Sequence, residues 1–133
     1  MEVEWGSQFE KALRRAEQEA LGGTGEASER FAQLHGLLDS LRRLDNKPSS
    51  ESPKYKRVRQ ARRYELWRIA HPYNPHAAVR VIVWFPSSDK AVLALFAFDK
   101  AKLGDIWYDR ATRESEATLD QWRRDNPDRV KEM

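Results

Sequence analysis

The chain has no cysteine among its 133 residues. Disulfides and thiolate-bound zinc are therefore excluded, and a reducing, cytoplasmic setting fits. It has no run of about 18 apolar residues, so neither a membrane span nor a membrane partner is expected. The opening MEVEWGSQFEK lacks a basic stretch followed by an apolar one, which argues against a signal peptide. Histidine is scarce: His35, His71 and His76 follow no HExxH spacing. No metal or other cofactor is expected on that basis. A GxSxG nucleophile turn is missing. Glycine clusters once, at Gly22-Gly23-Thr24-Gly25. That cluster lacks a GK[ST] ending and follows no apolar strand, so it reads as a turn between helices and not as a phosphate loop.

What the chain does have is charge, 34% against 40% hydrophobic residues, the balance of a single soluble domain. The net charge of +3 hides an asymmetry. Between Lys54 and Arg68 lie seven basic residues, Lys54, Lys56, Arg57, Arg59, Arg62, Arg63 and Arg68, against the single acid Glu65. A basic stripe on a near-neutral body is the footprint of a polyanion binder, and a solvated surface face is the plain alternative. The interleaved Tyr55, Tyr64 and Trp67 favour nucleic acid, because guanidinium and aromatic faces both stack on bases.

Residues 1–6 alternate in polarity as a short strand would. Ser7 with Glu10 reads as a capping box, opening a helix over 8–21 with Phe9, Leu13, Ala16 and Ala20 on one face. A second helix over 26–44 carries a wide stripe that includes Phe31, Leu34, Leu38 and Leu41. His35 adjoins that stripe as a packing residue. Residues 45–53 form a polar linker with two prolines. Residues 64–70 (YELWRIA) alternate as a strand, and HPYNPH at 71–76 reads as a loop. The organising feature follows: AAVRVIVWF (77–85), the turn PSSDK, and AVLALFAF (91–98). These strands are apolar on both sides, so both faces of the sheet need cover or the sheet is strongly curved. Thr112 reads as the cap of a last helix anchored by Leu119 and Trp122. The expected fold is α+β: an N-terminal helical hairpin packed on a curved antiparallel sheet of three to four strands, with a C-terminal helix. The whole forms one domain over 1–133, built from 1–53, 54–98 and 99–133.

Arg80 alone breaks the first apolar strand with a charge. A buried guanidinium is costly unless paired. Two readings stay open and can coexist: an ion pair with Glu65 on the neighbouring strand, or a site for a phosphate. RNA supplies its own nucleophile, the 2′-hydroxyl, so cleavage asks only for proton transfer and for cations on the phosphate. His71 and His76 are further options for moving the proton.

The order of these elements and several strings resemble the RelE/ParE toxin superfamily, its RelE- and HigB-like members in particular. The likeness spans about 58–111. RRYELWRI is similar to the family's “lyElRi” strand, VRVIVWF to “yRvlyf”, and VLALFAFDKAK to “ivlLhgFxKk”, with IWYDRA where an aromatic often precedes the last helix. The resemblance implies the toxin of a toxin–antitoxin pair, acting on mRNA at the ribosome as a metal-independent endonuclease and neutralised by a cognate antitoxin. Carried over by position, it implies Arg80, Lys100, Arg68 and Tyr108 (or Trp107) as catalytic. The basic stripe, with Lys102, would then hold RNA. The sequence departs from the family where Glu65 and Trp67 replace lysines, in the longer HPYNPH loop and in the extended last helix. These departures leave the general base unassigned. The alternative is a non-enzymatic relative, ParE-like or degenerate, that inhibits by binding protein or RNA.

Overall fold

A computed structural model describes residues 1–23, 25–70, 79–98 and 104–127, with side chains of 104–106 left undescribed. The elements in order are β1 (Glu2–Trp5), α1 (Ser7–Leu21), α2 (Gly25–Arg42), β2 (Tyr55–Arg57), β3 (Leu66–Ala70), β4 (Val79–Ser87), β5 (Lys90–Phe98) and α3 (Gly104–Asp125). The fold is α+β. The expected HPYNPH loop, the strand start at 77–78, Lys100, Lys102 and the residues after 127 lie outside the described residues.

The sheet differs from the expected three or four antiparallel strands. It has five strands in the order β1-β5-β4-β3-β2, and β1 runs parallel to β5 while the other pairs are antiparallel. The reason lies in connection length. The whole helical hairpin separates β1 from the rest, which leaves enough chain for β1 to reach the far edge in parallel. The strand pair at the centre is the expected one. Its turn is tighter, with only Ser88 and Asp89 between the strands, and the Ser87 hydroxyl donates to the Asp89 carboxylate at 2.9 Å.

Side chains alternate across the strands, so each strand feeds two cores. On one face Trp67, Ile69, Val79, Val81, Val83, Phe85, Ala91 and Leu93 meet Phe9 of α1 and Leu34, Leu37, Leu38 and Leu41 of α2. On the other, Leu66, Ile82, Val92 and Ala94 meet Trp107, Ala111, Leu119 and Trp122 of α3. Both faces are covered, as the two-sided apolar strands require.

Two helix starts differ from expectation. Gly6, not Ser7, caps α1, and no side chain caps it. Glu10 instead accepts the Trp5 indole N–H at 2.6 Å and the Arg14 guanidinium at 3.0 Å. Those two bonds, the indole first, hold its carboxyl below the ordinary range. The last helix begins at Gly104, eight residues before Thr112, which lies buried inside it. Trp107, Ala111, Ser115, Leu119 and Trp122 recur every three or four residues along one buried stripe. A single helix is the conformation that places them all on the sheet. The glycine turn between α1 and α2 is a turn, with Gly23 at φ +100°, a left-handed conformation that suits glycine. Among the described residues no helix is long and apolar enough to cross a membrane.

Leu38 is 1% exposed and Leu21 is 80% exposed. Leu38→Ala should lower unfolding free energy by about 2–5 kcal/mol, and Leu21→Ala should stay within about 0.5 kcal/mol. Urea titrations followed by tryptophan fluorescence check this. Equal shifts would contradict the assignment of α2 to the core.

Candidate polyanion-binding site

α3 and the 58–65 loop are joined by a polar lock. The Tyr64 hydroxyl donates to Asp120 at 2.6 Å, and Arg63 Nη1 donates to the same carboxylate at 2.8 Å. The Arg63 backbone N–H donates to Glu116 at 2.8 Å. The Tyr64 bond, then the Arg63 bond, depress the Asp120 carboxyl. Burial, then the bond to Asp120, raises the Tyr64 hydroxyl. The Arg63 side chain, although tied to Asp120, stays more than half exposed, whereas Tyr64 is buried. The other two aromatics of the stripe are also spent on packing: Trp67 is 1% exposed, and Tyr55 packs half-buried against the helical-hairpin core. Tyr64 and Trp67 are thus closed to base stacking, while Tyr55 keeps part of its surface exposed. The pattern that could have revealed the lock, two carboxylates four residues apart on a helix, is too common in charged helices to stand out.

The cations of the strands divide by alternation. Arg57 faces the helical-hairpin side, 5.2 Å over the Trp67 ring, and meets Glu65 at 3.5 Å. Lys54 lies 5.6 Å from the Tyr55 ring. Lys56, Arg68 and Arg80 project to the α3 side from β2, β3 and β4, since Lys56 pairs with Arg68, Arg68 with Ile82, and Arg80 with Ala70. Lys56, Arg59, Arg68 and Tyr108 line an open recess of about 220 Å³. A second recess of about 600 Å³ beside it is lined by Arg57, Arg59, Arg62 and Arg63. Arg59 and Arg62 are exposed on the loop between them.

Arg80 does not pair with Glu65, which turns to Arg57 instead. Its Nε and Nη1 are buried without a hydrogen-bond partner among the described residues. Its cross-strand neighbours are Ala70 and Ala97, whose small side chains leave the guanidinium room on the sheet. Arg68 Nη2 donates to the Pro53 carbonyl at 3.1 Å. Burial holds the Arg68 guanidinium below its ordinary value. The Tyr108 hydroxyl, in hydrogen-bonding reach, opposes that shift, and the Arg80 charge adds to it. Glu51 is near enough to offset some of this charge, but it accepts the Arg57 backbone N–H at 2.9 Å. Two arginines thus share one face with no carboxylate in ion-pair contact among the described residues. Such a pair favours an anion that accepts from both. α3 also separates its two neighbouring aromatics: Trp107 is buried in the core and Tyr108 stands beside Arg68.

The lock sets a pH dependence. A carboxyl depressed in the folded state contributes stability above its unfolded value, and that contribution is lost as pH falls through the folded one. The wild-type urea midpoint should therefore drop below about pH 4, and Asp120→Asn should start lower at pH 7 and fall less on acidification. Parallel pH profiles for the two proteins would remove Asp120 from the lock. In comparisons with known proteins no family model matches this chain, and no curated protein or solved structure matches it.

Proposed function

We propose that the chain is a ribonuclease toxin of the RelE/HigB kind, cleaving mRNA at the ribosome and held in check by a cognate antitoxin. The observation that carries this reading is the Arg80 guanidinium beside Arg68, its Nε and Nη1 buried without a hydrogen-bond partner among the described residues, on a face that Lys56 and Tyr108 complete. Cations desolvated without a counter-charge bind a phosphate at lower cost than solvated ones would, because their dehydration is already accomplished. Support also comes from the architecture, in which a helical hairpin covers one face of a sheet whose antiparallel strands follow it in the chain.

In the proposed reaction the RNA 2′-hydroxyl attacks the adjacent phosphorus. Its proton passes through the Tyr108 hydroxyl to water, a water molecule protonates the departing 5′-oxygen, and a 2′,3′-cyclic phosphate forms. Arg80 and Arg68 hold the non-bridging oxygens while charge builds on them. Lys56, Arg59 and Arg62 line the approach and hold the flanking backbone, with Lys100 and Lys102 as further contacts implied by the resemblance. A second reading has its own support. Tyr108 is the only group identified at this cluster, among the described residues, that could pass a proton. An RNA- or protein-binding inhibitor without catalysis would need none.

Induced expression with mapping of mRNA 5′ ends separates the two. Wild type should arrest growth and create new ends in translated messages. Arg80→Ala should reduce cleavage about 10²–10³-fold and Tyr108→Phe about 10²-fold. Arrest without new ends would sink the nuclease and leave the inhibitor. Purified Arg80→Ala protein should bind single-stranded RNA with a steep salt dependence. Arg59→Ala with Arg62→Ala should make that log–log slope shallower by about 1.4, two phosphate contacts at about 0.7 each. An unchanged slope would remove this loop from the interface.

A further inference from the structure

β1 covers only half of the β5 edge. Its residues pair with Lys90 to Leu93, and at Gly6 the chain leaves the sheet for α1. From Ala94 to Phe98, β5 pairs with β4 on one side and with no strand on the other, among the described residues. Burial changes at the same point: Ala91 to Ala94 are buried, and Leu95, Phe96, Ala97 and Phe98 are only half-buried. The register shift at Ala94 bends the strand. Beyond it, no charge or proline blunts the edge as far as Phe98.

A cleft of about 330 Å³ lies over this edge, walled by Gln8 and Ala12 of α1 and by Glu114, Ala117 and Thr118 of α3. The Thr118 hydroxyl, donating to the Gln8 side-chain oxygen at 3.0 Å, ties the two walls. Ala12 and Ala117 are exposed and small, which keeps the cleft wide. Glu114 supplies the only charge in the lining and has no ion-pair partner among the described residues.

We propose that this half-edge is a docking site for one extended strand of a partner protein, with alternating apolar side chains and a basic residue that meets Glu114. Unpaired main-chain groups along a strand call for another extended backbone. The apolar floor calls for alternate apolar side chains, and the lone carboxylate calls for a cation. A second copy of this chain fits poorly, because joining two β5 edges would also bring α1 and α3 of both copies against each other. The site uses none of the residues proposed to hold RNA, so it stands or falls separately from the nuclease reading.

The test is fluorescence anisotropy of the full chain with a labelled seven-residue peptide of alternating valine and lysine. Saturable binding is expected. Methylating alternate peptide amides should weaken it at least about tenfold by removing main-chain bonds. Ala117→Arg should block it to a similar degree, with an unchanged thermal transition. Glu114→Lys, also exposed, should lose affinity for this peptide and gain affinity for the valine–glutamate version, and it decides the matter if Ala117→Arg misfolds. The proposal is overturned if the peptide does not bind, if the methylated peptide binds equally well, or if Glu114→Lys leaves the charge preference unchanged. It is also overturned if light scattering shows a wild-type dimer that Ala117→Arg dissociates, since a second copy would then occupy the edge.

Discussion

A strand that is apolar on both faces must be covered on both, and β4 and β5 are such strands. Each buried Val, Leu or Ile on them contributes about 1.5–3 kcal/mol when removed from water, so neither face can be left open. The two covers are unequal. One face receives two helices, α1 and α2, and the other receives only α3. One helix cannot span five strands. α3 lies mainly against β5, and the 58–65 loop adds Val58 and Tyr64 to the same core. The sheet surface not reached by either belongs to β2, β3 and the start of β4, and it is there that Lys56, Arg68 and Arg80 emerge.

This asymmetry gives the cations their character. On an open surface, like charges one strand apart would be solvated and screened. Beside a packed helix they are partly dehydrated and their mutual repulsion is felt more strongly. Arg68 shows the effect, since burial lowers its hold on the proton and the Arg80 charge adds to that shift. Arginine stays protonated under such pressure where lysine would not. The site therefore keeps its positive charge, and the favourable way to reduce the repulsion is an anion placed between the two guanidinium groups.

How much of this was legible in the sequence depended on the length scale of the signal. The apolar runs of β4 and β5 and the leucine stripe of α2 are local patterns, and they named their elements correctly. Arg80 was legible for the same reason, as one charge inside an apolar strand. Its partner was not, because matching Glu65 to a cation needed the fold, in which Glu65, just before β3, meets Arg57. The aromatics of the basic stripe misled in the same way. Tyr64 and Trp67 sit among arginines in sequence, but alternation turns Trp67 into the helical-hairpin core and the Asp120 lock holds Tyr64 on α3. The early start of α3 was hidden because its stripe is built from Ala111 and Ser115 as well as tryptophans, and small residues carry little periodic contrast.

The position of α3 ties the two open parts of the sheet together. Tyr108, near its start, stands beside Arg68, and Glu114, Ala117 and Thr118, two to three turns later, wall the cleft over the β5 edge. The helix is fastened on both sides, to the 58–65 loop through Glu116 and Asp120 and to α1 through Thr118 and Gln8. Its core anchors, Leu119 and Trp122, lie in the same stretch as those polar ties. The start of the helix is held as well, since Trp107 and Ala111 are buried in the same core beside Tyr108. Core anchors near both ends of α3 therefore set where the Tyr108 hydroxyl meets Arg68, and the polar ties at Glu116 and Asp120 fix the helix between them.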